Sequence, residues 1–210
     1  SIAGPGNYWN TQRGNSGARA VAYDNGRFSL NHDFATDANS YNQALQISFD
    51  AYATGFSSTT GWGSITVGNT QNVFAYEGGS KFGFNFRQSK LAETYAYTGG
   101  SLQNLGDTSY LSYASDSFTI LLTDAVGTGS AFNGNGSVAK LYVGGNLLST
   151  TTLNQLSVGD GYLSFGGMPA SWGAGGGQGN IDNLTIAVVP EPHAALLGGL
   201  GMLALLRRRR

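Results

Sequence analysis

An all-β, antiparallel sandwich is the fold this sequence predicts, and three observations predict it. Apolar side chains recur with a period of two rather than 3.6, clusters of glycine and asparagine punctuate the chain at short intervals, and no segment before residue 189 carries a helical stripe. The 210 residues, 40% hydrophobic and 12% aromatic, suffice for one large buried core. Thirty-three glycines and only 11% charged residues describe a turn-rich chain with a polar, weakly charged surface, in which long amphipathic helices are not expected.

The strands follow in order. Leu45, Ile47, Phe49 and Ala51 alternate with Gln46, Ser48 and Asp50, which is the period of a half-buried strand. Residues 64–67 come next. Phe82, Phe84 and Phe86 then give the clearest signal, with Gly83, Asn85 and Arg87 turned to the opposite face. Residues 117–122, 138–143, 147–151, 162–165 and 181–188 are rich in β-branched and aromatic types and bring the total to about eight strands or more. Between them lie Asp24-Asn25-Gly26, Gly78-Gly79, Gly99-Gly100, Asn133-Gly134-Asn135-Gly136, Gly144-Gly145-Asn146 and Asp160-Gly161, which supply the positive φ of tight hairpin turns. Asp33 and Asp37 sit in a polar stretch that reads as loop. The glycine-rich run 166–180, holding Met168, Pro169, Ala170, Ser171 and Trp172, reads as one long surface loop.

Several function classes are disfavoured. A formal net charge of −1 gives no long-range attraction toward phosphates, so nucleic acid is not an expected partner. With no cysteine there is no thiolate nucleophile, disulfide or sulfur-bound zinc. His32 is the sole histidine ahead of residue 189 and no Gly-x-Ser-x-Gly elbow occurs, which argues against a serine triad. The glycine run lacks the Lys-Ser/Thr ending of a phosphate loop. Glu77 and Glu93 are far apart in sequence, and Asp33 with Asp37 reads as a solvated pair, so the two placed carboxyl groups of a glycosidase are not evident. No catalytic residue is assigned and the domain is read as non-catalytic.

The chain begins at Ser1-Ile2-Ala3-Gly4-Pro5, without an initiator Met or a signal-peptide pattern, and reads as processed or trimmed. At the other end Pro190-Glu191-Pro192 removes backbone donors and stops the last strand, placing a boundary between a β domain of residues 1–188 and a tail of residues 189–210. The fourteen residues 193–206 are nearly all Ala, Leu, Gly and Met, and are followed by Arg207, Arg208, Arg209 and Arg210. As a hydrophobic helix they would span about 21 Å of a membrane core of about 30 Å, with snorkelling arginines making up the difference. The arginine cluster favours a cytoplasmic C-terminus and an exported β domain.

This order of Pro-Glu-Pro, apolar stretch and terminal arginines resembles the PEP-CTERM sorting tail of exported proteins in Gram-negative bacteria. The resemblance covers residues 189–210. It implies transient anchoring in the inner membrane, a membrane peptidase of the exosortase kind acting at Pro190, Glu191 and Pro192, and release to the cell surface or extracellular matrix.

In the body, the stretch 138–148 with its Gly144-Gly145-Asn146 turn resembles a hairpin of laminin-G-like and concanavalin-like jelly rolls, and Ile181-Asp182-Asn183-Leu184-Thr185-Ile186 is similar to their closing strand. Trp62, set between glycines, and Trp172 have two readings: flat rings offered to the apolar faces of sugars, or plugs folded back onto the core, the commoner fate of an indole. Asp182 and Asn183 could hold a structural calcium, or could serve ordinary turn hydrogen bonds; no other cofactor is expected. The reading is an exported, non-catalytic surface or matrix protein, lectin-like and binding polysaccharide through loop aromatics. A structural or adhesive matrix protein is the alternative. An unrecognised glycan hydrolase and an ice-binding protein stand behind them, the last requiring more than Thr150-Thr151-Thr152.

Overall fold

A computed structural model describes residues 2–3, 8–10, 19–23, 26–54, 62–87, 89–112, 116–126, 130–168 and 178–189. The alternating segments form strands: β1 (Ile2–Ala3), β2 (Tyr8–Asn10), β3 (Arg19–Tyr23) and β4 (Gly26–Asp33) precede one helix, α1 (Phe34–Tyr41). Then come β5 (Ala44–Thr54), β6 (Trp62–Gly68), β7 (Ser80–Arg87), β8 (Leu91–Thr98), β9 (Ser101–Ser109) and β10 (Ser117–Asp124). The chain continues through β11 (Ser137–Val143), β12 (Asn146–Leu153), β13 (Tyr162–Met168) and β14 (Gln178–Val189).

They make two seven-stranded antiparallel sheets, the first in the order β1-β4-β13-β6-β7-β8-β9 and the second β12-β11-β10-β5-β14-β3-β2. Each sheet has one apolar face, and the two faces meet. Phe82, Phe84 and Phe86 of β7, with Ile65 and Val67 of β6, bury against Ile47 and Phe49 of β5 and Phe118, Ile120 and Leu122 of β10. Phe49 stacks on Phe118 at 5.6 Å and on Phe84 at 6.2 Å between ring centroids, so aromatic contacts bridge the sheets.

All eight expected strands are present. The Gly144-Gly145 turn joins β11 to β12 with φ of 55° and 80°, the left-handed pair that a two-residue hairpin matching strand twist requires. β1, β2, β3, β4, β8 and β9 were not apparent in the sequence. In β8 the inward residues Ala92, Thr94 and Ala96 are small, while the conspicuous Tyr95 and Tyr97 point outward, so the apolar face gives a weak periodic signal. Both ends of the expected loop 166–180 are strand instead, Gly166, Gly167 and Met168 in β13 and Gln178, Gly179 and Asn180 in β14, and residues 169–177 lie outside the described residues.

The stretch holding Asp33 and Asp37 is not a loop: Asp33 ends β4 and Asp37 lies in α1. Asp33 is the N-cap of α1, accepting from Ala35 N at 3.1 Å and Thr36 Oγ1 at 2.8 Å, and Ala35 and Ala38, three apart, turn one face to the core. The same carboxylate accepts from Gly159 N and Gly161 N at 2.9 and 3.0 Å, tying the helix to the turn before β13. Asp37 meets His32 at 2.6 Å. Both carboxylates thus have local structural partners.

The segment 190–210, with Pro190, Glu191, Pro192, the expected helix 193–206 and Arg207 to Arg210, lies outside the described residues, as does Trp172. Among the described residues no helix is long and apolar enough to cross a membrane.

Removing the Asp33 carboxylate strands two backbone donors of the 159–161 turn as well as the helix cap. Asp33→Ala is expected to destabilise the domain by roughly 2–3 kcal/mol, read as a lower urea midpoint with unchanged slope; a midpoint equal to wild type would show that the cap is dispensable.

Candidate functional site

Alternation about Phe82, Phe84 and Phe86 sends Gly83, Asn85 and Arg87 to the outer face of the first sheet. The register adds neighbours on that face: Trp62 beside Arg87, Ser64 beside Asn85, Glu93 across from Asn85, and Tyr95 across from Gly83. The sheet's outer face is thus aromatic and polar at once.

The segment joining β6 to β7, residues 69–79, lies down on this face. Ala75 N donates to Ser64 Oγ at 3.1 Å, and Phe74 is fully buried over Gly166 of β13. A Cβ on Gly166 would collide with the Phe74 ring, so glycine is required there for the close approach. Arg27 of β4 fastens the segment from the other side. It pairs with Glu77, donates to Asn72 O at 3.2 Å, and sets its guanidinium 4.4 Å from the Phe74 ring centroid.

Seated this way, the segment brings four rings together. Trp62 meets Phe74 at 5.1 Å and Tyr76 at 5.6 Å, both near perpendicular, and Tyr76 lies 6.2 Å from Tyr95 at 57°. Phe74 is the buried anchor; Tyr76 is 38% exposed, and Trp62 and Tyr95 are half-buried. Next to Tyr95, Glu93 accepts from Asn104 Nδ2 at 2.9 Å and from Asn85 Nδ2 and Arg87 at 3.2 Å. Partial burial pushes the Glu93 carboxyl up, but the hydrogen bonds from Asn85, Asn104, Tyr95 and Arg87 together outweigh it and hold the group below its ordinary value. Partial burial and the neighbouring Glu93 both raise the Tyr95 phenol, which stays a neutral donor.

The face therefore offers ring surfaces beside a fixed set of hydrogen-bonding groups. Asp107 of β9 stands in register with Glu93, so two carboxylates do come together here. The downward shift of Glu93 is opposite to the one that a general acid of glycoside hydrolysis needs.

Of the two tryptophans picked out in the sequence, Trp62 belongs to this cluster, where it is neither a lone exposed ring nor a fully buried plug. Trp172 is outside the described residues; β13 ends at Met168, whose register partner is Trp62. Tyr76, Tyr95, Glu93, Asn104 and Arg87 were missed, because nothing in their spacing joins them; the only sequence signal was the outward position of Arg87. Glu77 and Glu93, far apart in sequence, sit at opposite ends of the ring cluster on one face.

Asp182 and Asn183 lie elsewhere, at a bulge between β14 and β5. Asn183 has φ of 51°, donates its backbone N–H to Asp182 Oδ1 at 2.8 Å, and donates its carboxamide to Asp50 at 2.6 Å. Among the described residues no group of three or more His, Asp or Glu side chains is placed to hold a metal ion. Thr150 and Thr152 share the outer face of β12, but their register partners are Lys140 and Val138, so the hydroxyl spacing is not carried across that sheet.

No family model matches the chain, and no curated protein matches its sequence. Solved structures do match in fold. The carbohydrate recognition domain of Emp47p is 11% identical with a TM-score of 0.53, covering 90% of each chain. A conserved carbohydrate esterase of the Shiga toxin-encoding bacteriophage phi24B is 10% identical with a TM-score of 0.52, covering 90% of this chain and 89% of that one. The receptor-binding domain of botulinum neurotoxin type G is 9% identical with a TM-score of 0.54, covering 91% of this chain and 43% of that one. The shared property is the two-sheeted antiparallel sandwich.

A carboxyl held below its ordinary value stabilises the fold above that value and loses the effect as pH falls through it. Glu93→Gln is therefore expected to lower the urea midpoint at neutral pH, with the difference from wild type shrinking as the solution is acidified through the carboxylate range. A difference that stayed constant with pH would sink this account of Glu93.

Proposed function

We propose that the β domain is a non-catalytic carbohydrate-binding module, taking a polysaccharide on the outer face of its first sheet. The observation that carries this reading is the grouping of Trp62, Tyr76 and Tyr95 with the Glu93–Asn104 network on one face. Aromatic rings recognise sugars by covering their C–H faces, and carboxylates and carboxamides fix the hydroxyls around the ring. The sandwich shared with a carbohydrate recognition domain supports the same reading. A neighbour that is an esterase shows that this architecture also accompanies catalysis, but the depressed Glu93 carboxyl favours binding over acid catalysis here.

The second part of the proposal concerns delivery. Residues 189–210 act as a PEP-CTERM-type sorting tail: the apolar stretch 193–206 and Arg207, Arg208, Arg209 and Arg210 anchor the chain in the inner membrane, and an exosortase-type peptidase acts at Pro190, Glu191 and Pro192. The domain then works at the surface or in the extracellular matrix of a Gram-negative bacterium. A structural or adhesive role without a glycan has one observation behind it, the exposed edge strand β9 with Leu105 47% accessible.

A glycan array probed with the full chain tests the binding reading. Wild type is expected to retain polysaccharide, and Trp62→Ala and Tyr76→Ala each to weaken it by roughly tenfold or more while leaving the urea midpoint of Tyr76→Ala close to wild type. Silence across the array would favour the adhesive role. Binding that survives both substitutions would move the site off this face.

A further inference from the structure

Charge on the aromatic face is cancelled locally. Arg27 is paired with Glu77 and lies over Phe74, while Arg87 is paired with Glu93. Asp107, exposed on β9 and in register with Glu93, adds another carboxylate. Lys81, on the same face of β7, pairs with Asp160 at 3.4 Å, so both guanidinium groups and this ammonium already have anionic partners. An incoming carboxylate or sulfate would displace an existing ion pair or stand against Glu93 and Asp107, at a cost in desolvation and repulsion. Asp107 makes the carboxylates one more than the cations, so acceptors are also in excess. Such a surface favours a ligand that brings many donors and no negative charge, which is the chemistry of hydroxyl groups.

Ring orientation narrows the physical form of that ligand. The surface of a crystalline polysaccharide is planar and needs its binding rings in one plane. Here Tyr76 is turned 90° from Trp62 and 57° from Tyr95, with centroids 5.6 and 6.2 Å apart. Rings so turned share no common plane. A single chain can rotate about its glycosidic bonds and meet rings at different angles, whereas a crystal face cannot.

Resting on the carbohydrate reading above, we infer that this face selects uncharged, hydroxyl-rich glycan chains taken singly from solution, and discriminates against acidic polysaccharides and against crystalline surfaces.

The test is affinity electrophoresis of the full chain through gels containing soluble neutral polysaccharides (a mixed-linkage β-glucan, a xylan, a galactomannan) or acidic ones (polygalacturonate, alginate), beside sedimentation with crystalline cellulose. Retardation by at least one neutral chain is expected, stronger by roughly tenfold than by any acidic one, nearly unchanged between about 0.05 and about 0.5 M salt, and lost in Tyr76→Ala. The protein should stay in the supernatant over cellulose. Preferred retardation by an acidic chain that fades steeply with salt and depends on Tyr76 would overturn the selectivity while leaving carbohydrate binding in place. So would Tyr76-dependent depletion by cellulose. No retardation by any chain and no sedimentation would overturn both this inference and the function it rests on.

Discussion

The stacked phenylalanines between the sheets set the terms for everything outside them. Phe49 and Phe118 from the second sheet and Phe84 from the first approach within 5.2 to 6.2 Å of one another, and Phe86 and Tyr110 close around Phe118. Each such ring removes on the order of 150–250 Å² from water, worth several kcal/mol apiece at about 25 cal/mol per Å². No surface ion pair among the described residues competes with that. Because successive strand residues point to opposite faces, burying Phe84 and Phe86 leaves Asn85 and Arg87 no choice but the outer face. The polar floor of the aromatic face is the reverse side of the apolar core.

On that reverse side, the 69–79 segment turns a bare sheet surface into a shaped one. It is held by Phe74 entering the space above Gly166, by Arg27 closing over the same ring, by Ala75 N donating to Ser64 and by Gln71 donating to Asn31 of β4. Trp62 and Tyr76 take their relative orientation from Phe74, which touches both. Glu93 is held separately, by donors from β7 and β9. The two halves of the face, rings and hydrogen-bonding network, are thus positioned by independent sets of contacts that meet at Tyr95.

The arrangement of the sheets bears on how such a domain would serve at a cell surface. β14, the last described strand, runs within the second sheet between β5 and β3 and ends at Val189, in register with Ala44. The segment proposed as an anchor therefore leaves from the sheet opposite the aromatic face. A chain tethered at its C-terminus in this way would have its aromatic face on the other side of the sandwich from its point of attachment.

Sequence by itself determined the class of fold, eight of the strands, the Gly144-Gly145 hairpin and the non-basic, cysteine-free chemistry, because alternation, turn residues and composition are local properties. The sorting tail proposed for residues 189–210 rests on a linear resemblance alone. Strands such as β8, with alanine and threonine inward, escaped detection in the sequence because small buried residues give little contrast, and α1 escaped because one capping aspartate and two alanines are a faint helical signal. Only the tertiary structure decided the site. Trp62, Tyr76, Tyr95, Glu93 and Asn104 come from three strands and a connecting segment, and what unites them is strand order and register, set by long-range pairing that no short stretch of sequence encodes.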